Sequence, residues 1–275
     1  MSNSSISNPS DEIATSLGLA RVTWFLAAGE KNIGGEKNIG GKHSIGGERN
    51  VGGERNVGGM RSRETARLTL QLGHGAGGGI DAPDLQSLAE TLPAAGVRVG
   101  LVEQPWRVAG RRVADRPANL DQAWLEVIEA LTSTGSIRGP LVVGGRSAGA
   151  RVAVRTARQA GAVGALALAF PLHPPGQPLK SRLSELLLAA DEIPVLVIQG
   201  QRDPFGGPGE VVAGLAGGRL QPAVGPVTRA GAIVWAVHGG DHSLRLPKSG
   251  PMTRAESAQQ INEVVRWWVR SAAAA

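Results

Sequence analysis

The stretch from Leu141 to Ala150 constrains the fold of this chain more than any other part of its sequence. An apolar run at its start is typical of a buried strand, and a helical pattern begins directly after Gly145-Arg146-Ser147-Ala148-Gly149. This is a G-x-S-x-G motif on a turn from strand to helix. The turn is sharp, and only glycine is small enough on either side of the serine. The motif predicts that Ser147 presents its hydroxyl above a strand end, as a candidate nucleophile.

Strands alternate with amphipathic helices along the rest of the chain. Apolar runs predict strands at Leu19–Ala27, Leu68–Leu72, Val97–Val102, Pro140–Val143, Gly164–Phe170, Pro194–Gln199 and Ala232–Val237. Helical stripes carry Leu85, Leu120 and Ile261, a short helix is predicted at Ser181–Ala189, and Asp81 is expected to cap the first helix. This alternation predicts an α/β fold, with a mostly parallel sheet that has helices on both faces. Reactive groups are then expected at the carboxyl ends of the strands.

The chain is predicted to form a single domain over residues 16–275. Residues 1–15 are polar and Ser-rich, so we expect a disordered leader there. This segment lacks the basic start and apolar centre of a signal peptide, and the most apolar run, Ala162–Leu172, is too short to span a bilayer. We therefore expect a cytoplasmic protein without a membrane partner.

An imperfect hexapeptide array interrupts the predicted domain at about residues 29–62. Its copies resemble Ile33-Gly34-Gly35-Glu36-Lys37-Asn38, with one aliphatic residue and two glycines in each. Such hexads are typical of β-helices, but those need about three hexads per coil and several coils to bury a core. Two glycines per hexad also cost backbone entropy that one aliphatic side chain does not offset. We therefore predict a flexible, solvated, low-complexity insertion.

The composition excludes several kinds of partner. The formal charge is +6, but the arginines are dispersed and aromatic residues make up only 3% of the chain, so we expect no binding to nucleic acid. The chain has no cysteine, and hence no disulfide, no thiolate metal site and no cysteine nucleophile. We expect neither a metal nor a cofactor, and no protein partner is indicated.

Two polar residues after later strands complete a candidate catalytic set with Ser147. Asp203 follows the strand predicted to end at residue 199, and His242 lies in a Gly-rich loop after the last strand. The chain order Ser…Asp…His is the one found with this kind of serine turn. His242 would take the proton of Ser147, and Asp203 would orient the imidazole ring.

Each of these assignments has a rival. Asp241 is an alternative acid, but a residue adjacent in sequence to His242 is poorly placed to bond its ring. His238 is an alternative base; it lies at the end of the strand, whereas the loop of His242 can reach over the sheet. Asp203 precedes a proline and is also a common kind of turn residue. We favour Asp203 and His242.

The remaining candidate site residues are expected to lie around Ser147. The turn His74-Gly75-Ala76-Gly77 and the start of the helix after Ser147 would supply the N–H groups of Ala76 and Ala148 to an oxyanion. His74, Arg146 and His173 are assigned to substrate binding. His74 could instead hold the oxyanion turn, and His173 could equally be structural.

These motifs together resemble a known family. The segments that carry the resemblance are Gly73–Gly79, Gly145–Gly149, Phe170–Gly176, Gln199–Gly206 and Asp241–Ser243. They are similar to the compact α/β-hydrolases related to dienelactone hydrolase, of the type shared by testis-expressed protein 30 and subunit 3 of the NSL chromatin complex. The resemblance covers Leu68 to the C-terminus. It implies a hydrolase core of the eight-stranded type that has no large lid. It also implies that Ser147, Asp203 and His242 form a catalytic triad. The chain departs from it in the hexapeptide insertion and in a longer Gly-rich segment at 206–231.

The sequence therefore predicts a serine hydrolase that cleaves a small-molecule ester, lactone or thioester through an acyl-enzyme. One relative of this type serves in a regulatory complex. The alternative is consequently a non-catalytic interaction module with the same fold.

Overall fold

The computed structural model describes residues 8–27, 30, 66–217, 227–229, 231–250 and 252–274. The strands in these ranges are β1 (Ser10–Thr15), β2 (Gly18–Phe25), β3 (Leu68–Gly73), β4 (Val97–Glu103), β5 (Leu141–Arg146), β6 (Gly164–Leu168), β7 (Val195–Gly200), β8 (Val227–Arg229) and β9 (Ala232–Val237). The helices are α1 (Pro83–Thr91), α2 (Pro105–Val108), α3 (Pro117–Ser133), α4 (Ala148–Thr156), α5 (Leu183–Ala190), α6 (Pro208–Leu215) and α7 (Arg254–Ala272), with a 3-10 turn at Leu92–Ala95. The predicted hexapeptide insertion lies outside the described residues except for Glu30.

The strands form one sheet in the order β1-β2-β4-β3-β5-β6-β7-β9-β8. The six strands from β4 to β9 in that order are parallel, whereas β1, β2 and β8 run antiparallel to their neighbours. The predicted mostly parallel sheet is therefore confirmed. The described sheet has nine strands, because the short strand β8 adds an edge to the eight-stranded core that the resemblance implied.

Helices cover both faces of the sheet, as predicted. On one face Trp24 and Trp106 pack with Trp124 of α3, and the same cluster includes apolar residues of α4, α5 and α6. On the other face the alternating leucines of β3 pack with Leu85 of α1 and Trp268 of α7. The central strands are buried on both sides, which is why they read as almost continuous apolar runs.

The disordered leader predicted for residues 1–15 is wrong for its second half, because Ser10–Thr15 form β1. This polar strand pairs antiparallel with β2 through a tight turn that ends at Gly18, whose φ is 118°. The Trp24 indole also donates a hydrogen bond to Asp11 (2.7 Å). Polar residues fit the half-exposed edge of a sheet, where backbone pairing rather than apolar burial holds the strand. Residues 1–7 lie outside the described ranges.

Two local predictions also need correction. Asp81 does not cap α1; the capping position is Ala82, without a side-chain bond, and Pro83 starts the helix with its fixed φ. The Gly-rich segment at 206–231 contains α6, which the sequence analysis did not predict. This helix buries Val211 and Leu215 although two of its eight residues, Gly209 and Gly214, are glycines.

The insertion connects β2 to β3, which are not neighbours in the sheet because β4 lies between them. Phe25 of β2 pairs with Val99, and Leu68 of β3 pairs with Val97, both at the start of β4. The chain therefore leaves β2 and enters β3 at the amino end of the parallel strands. The insertion is therefore attached at the edge of the sheet opposite to the carboxyl ends of the parallel strands, where the candidate site lies.

Candidate active site

Ser147 sits on a strained turn between β5 and α4, with φ 53° and ψ −111°. A left-handed φ is rare for a residue with a side chain and is held only where the surroundings enforce it. A Cβ on Gly145 would lie 2.6 Å from the Gly73 carbonyl oxygen, and one on Gly149 would overlap the same carbonyl. The two motif glycines thus allow β3 to approach the turn closely, as the sequence pattern predicts.

The structure brings Ser147, His242 and Asp203 together in one chain of contacts. Ser147 Oγ lies 2.9 Å from His242 Nε2, and His242 Nδ1 lies 2.8 Å from Asp203 Oδ2. Asp203 follows β7 and its side chain is fully buried, while the His242 side chain is 21% exposed. A base that is bonded to a hydroxyl on one side and to a carboxylate on the other can remove the hydroxyl proton.

The two rivals occupy other positions. His238 is exposed at the end of β9. Asp241 Oδ1 accepts the backbone N–H groups of Ser243 (2.8 Å) and Arg245 (3.0 Å). Asp241 therefore shapes the loop that carries His242, and the geometry favours Asp203 as the partner of the imidazole.

Asp203 is surrounded by hydrogen-bond donors. Its Oδ1 accepts the backbone N–H of Phe205 (2.9 Å), and its Oδ2 accepts from the Gln199 amide (3.0 Å) as well as facing His242 Nδ1. An ionised carboxylate has only acceptor sites, so this environment matches its hydrogen-bonding capacity. The sequence analysis did not identify Gln199 or Phe205. The one available signal was a single polar side chain in the apolar run Val195–Gly200.

Ala76 and Ala148 lie beside a small cavity next to the serine turn. Ala148 is the first residue of α4, so the helix offers its N–H no acceptor. Ala76 lies in the turn after β3. Both residues line a cavity of about 10 Å³, roughly the space of one water. Apolar side chains from α3 and the segment before it, including Trp124, form other parts of its wall.

His74 is held by protein groups at both ring nitrogens. Its Nδ1 lies 2.9 Å from the Gly75 carbonyl oxygen, and its Nε2 accepts the backbone N–H of Gln104 (3.2 Å). Burial lowers the pKa of His74, which favours the neutral ring. Its proton lies on Nδ1, because Nδ1 faces a carbonyl oxygen and Nε2 accepts an N–H. The Trp106 ring contacts it edge-on, with centroids 5.4 Å apart. These contacts favour the alternative that His74 holds the oxyanion turn. His74 also lines the cavity beside Ala76 and Ala148, so its assignment to substrate binding stays a prediction.

Arg146 also points into the protein rather than towards a substrate. Its Nη2 donates to the His242 carbonyl (3.2 Å) and to Ser243 Oγ (2.8 Å), and its Nε lies 3.0 Å from Asp84 Oδ2. Burial raises the pKa of Asp84, and the Arg146 guanidinium opposes this rise. Arg146 thus joins the serine turn to the His242 loop and to α1, and its assignment to substrate binding stays a prediction.

His173 makes two bonds to acceptors. Its Nδ1 lies 2.9 Å from the Pro174 carbonyl oxygen, and its Nε2 lies 3.0 Å from Glu210 Oε2. The bond to the Pro174 carbonyl raises the pKa of His173, and the Glu210 carboxylate adds to the rise. Its backbone N–H donates to the Phe205 carbonyl (3.0 Å). His173 thus follows the structural alternative, because it connects the loop after β6 with the loop that carries Asp203.

Among the described residues, no group of three or more His, Asp or Glu side chains is arranged to hold a metal ion. None of the helices in the described ranges is long and apolar enough to cross a membrane.

The sheet order, the helices on both faces and the serine turn after β5 define an α/β-hydrolase fold. Similar solved structures include an alpha-beta serine hydrolase homologue from Coxiella burnetii (TM-score 0.62, 12% identity, 97% of this chain and 100% of that chain covered). A serine hydrolase without lid from Xanthomonas campestris has a TM-score of 0.59 at 14% identity, covering 96% of this chain and 95% of that one. Est1E from Butyrivibrio proteoclasticus has a TM-score of 0.63 at 11% identity, covering 98% of this chain and 100% of that chain.

The sequence places the chain in the same class. The family model described as "Alpha/beta hydrolase domain" matches residues 66–270. The chain therefore belongs to the alpha/beta hydrolase family. No curated protein matches it.

Proposed function

We propose that this protein is a serine hydrolase that cleaves a small carboxylic ester, lactone or thioester through an acyl-enzyme. The observation that carries the proposal is the continuous contact from Ser147 Oγ to His242 Nε2 (2.9 Å) and from His242 Nδ1 to Asp203 Oδ2 (2.8 Å). The serine hydrolases among the structural neighbours support it. The finer resemblance to the dienelactone hydrolase type stays a prediction from the motifs.

The proposed reaction has two half-reactions, acylation and deacylation of Ser147, and His242 transfers a proton in each. His242 Nε2 takes the proton of Ser147 as Oγ attacks the substrate carbonyl, and Asp203 keeps the resulting imidazolium oriented. The N–H groups of Ala76 and Ala148 stabilise the negative charge on the carbonyl oxygen. His242 then gives the proton to the departing alcohol or thiol. In the second half-reaction it takes a proton from water, whose oxygen attacks the acyl carbonyl. His242 then returns this proton to Ser147 Oγ as the bond between Oγ and the acyl carbon breaks and the acid leaves.

A fluorophosphonate probe and p-nitrophenyl acetate test the proposal. The probe reacts only with an activated serine, which displaces fluoride from phosphorus. We expect the wild-type chain to be labelled and to release p-nitrophenol. We expect Ser147→Ala to abolish labelling, and Ser147→Ala and His242→Gln each to lower turnover by at least about a thousandfold. His238→Gln is the matched control and should keep wild-type turnover.

A folded wild-type chain that neither reacts with the probe nor hydrolyses p-nitrophenyl, lactone or thioester substrates would contradict the proposal. That result would favour the alternative, a non-catalytic interaction module. Labelling that persists at the wild-type rate in Ser147→Ala would show that another serine carries the reactivity.

A further inference from the structure

Gln199 lies in β7 as a completely buried polar side chain, directly beneath the candidate acid. Its Nε2 lies 3.0 Å from Asp203 Oδ2, 3.1 Å from the Phe170 carbonyl oxygen and 2.7 Å from the Gly206 carbonyl oxygen. Its Oε1 has no hydrogen-bond partner among the described residues. A buried strand residue with this arrangement has no evident role in the sheet itself.

The surroundings fix the orientation of the Gln199 amide. All three groups that face Nε2 are acceptors: one carboxylate and two carbonyls. Exchanging the amide nitrogen and oxygen would place an acceptor against these oxygens and leave the two N–H bonds without partners. The donor side therefore faces Asp203.

We propose that Gln199 is a positioning residue that orients the Asp203 carboxylate towards His242; the inference rests on the hydrolase function proposed above. Gln199 Nε2 and His242 Nδ1 share Asp203 Oδ2, while the Phe205 N–H bonds Oδ1. These donors prevent the carboxylate from rotating about its Cβ–Cγ bond. The orientation of Asp203 in turn sets the tautomer and the direction of the imidazole ring.

This role predicts an effect on turnover rather than on substrate affinity. The Gln199 side chain bonds only Asp203 and two backbone carbonyls among the described residues, and it does not line the cavity beside Ala148. Loss of the amide would leave the substrate-facing groups in place. A carboxylate displaced by a fraction of an ångström would misalign the His242 ring for proton transfer from Ser147, where about 1 Å costs roughly 100-fold in rate.

Two substitutions separate positioning from mere packing. Gln199→Met keeps the volume and removes the donor, and we expect it to lower kcat roughly 10- to 100-fold at every pH, with KM little changed. In Gln199→Glu the new carboxyl faces only acceptors, so its protonated form can still donate to Asp203. At higher pH it must ionise beside a second carboxylate, which disfavours both charges. We expect Gln199→Glu to retain activity at low pH and to lose it on the alkaline side.

The matched control is Gln71→Met. Gln71 is also fully buried, lies in β3, and has no hydrogen-bond partner for either amide atom among the described residues. The measurement is the pH profile of kcat and KM on p-nitrophenyl acetate for all four proteins, with thermal melting to confirm folding. Wild type and Gln71→Met should level off towards alkaline pH, as expected for a histidine base. Gln199→Glu alone should gain a descending alkaline limb.

An alkaline limb in Gln199→Glu supports the inference even if Gln199→Met fails to fold. The inference is overturned if wild type is active and Gln199→Glu follows the profile of Gln71→Met. Inactivity of wild type towards both the probe and the substrate overturns the proposed function, and the positioning role with it, so the two failures are distinguishable.

Discussion

The Phe205 ring packs against the His242 ring, with centroids 4.3 Å apart and ring planes inclined by 32°. The backbone N–H of Phe205 donates to Asp203 Oδ1 (2.9 Å). One residue therefore contacts both the candidate base and the candidate acid, through its side chain and its main chain respectively. The aromatic face also lies where the imidazole becomes positively charged during the proposed reaction.

We predict that Phe205→Leu lowers kcat by about two- to tenfold, because the loss of an aromatic contact of this kind costs about 0.5–1.5 kcal/mol. The backbone bond to Asp203 remains, so the chain should still react with a fluorophosphonate probe. Phe205→Tyr keeps the aromatic face and is the matched control. Steady-state kinetics on p-nitrophenyl acetate give the comparison. Equal kcat values for Phe205→Leu and Phe205→Tyr would show that the ring contact does not contribute to turnover.

Arg146 gives a prediction in which stability and substrate affinity separate. Arg146→Met leaves the 6%-exposed Asp84 side chain without its cation, and breaking such a buried pair costs about 3–5 kcal/mol. We expect a clear fall in melting temperature, with KM unchanged because the guanidinium faces Asp84, Ser243 and the His242 carbonyl. Adding Asp84→Asn should restore part of the lost stability. A rise in KM without loss of stability would instead indicate that the Arg146 side chain binds the substrate.

The position of a side chain could be predicted from the sequence where the signal is local, but not where it depends on distant partners. The position of Ser147 could be predicted because the close approach of β3 to its turn requires glycines two residues away on either side. Asp203 and His242 could be predicted to lie near Ser147, because the carboxyl ends of parallel strands lie along the same edge of a sheet. The contact of Arg146 with Ser243 could not be predicted, because the two residues are 97 positions apart in sequence. Gln199 stood out as a polar residue in an apolar strand, but only the folded loop shows that its amide faces Asp203.

The pair of His173 and Glu210 predicts a pH-dependent contribution to stability. The raised pKa of His173 means that its contribution is full below the ordinary histidine pKa of 6.5 and is lost as the pH rises through the raised value. The bond to the Gly207 backbone N–H lowers the pKa of Glu210, with a further contribution from His173. The Glu210 contribution is therefore lost as the pH falls through that lowered value.

Between these two limits we expect the pair to add less than about 1 kcal/mol, because the Glu210 side chain is 55% exposed. Arg182 opposes the rise in the pKa of His173. His173→Gln should therefore flatten the fall in unfolding free energy on the alkaline side. Urea unfolding at several pH values measures this; parallel curves for wild type and His173→Gln would exclude the linkage.

The chain around the insertion is anchored by a buried ion pair. Glu30 Oε1 lies 3.2 Å from Arg98 Nη1, with side chains 4% and 1% exposed, and the Arg98 guanidinium lies 4.2 Å from the centre of a Trp24 ring. Glu30 also accepts the Ala27 backbone N–H (3.1 Å). On the other side of the insertion, Arg67 donates its backbone N–H to the Gly96 carbonyl (2.9 Å). The described residues on either side of the repeats, Glu30 and Arg67, are thus held by contacts to the rest of the domain.

We predict that replacing Asn32–Gly59 by a short turn leaves the melting temperature within a few degrees of wild type and retains esterase activity. Each hexad offers one aliphatic residue against two glycines, so little apolar burial can offset the entropy of ordering it. The strands to be joined flank β4 and are only about 10 Å apart, and loop length costs only about 0.6 kcal/mol per doubling. Glu30→Ala is the contrasting variant, because it leaves Arg98 buried without its partner and should cost about 3–5 kcal/mol. Calorimetry on the two variants decides: if the deletion destabilises as much as Glu30→Ala, the repeats pack against the domain as ordered structure.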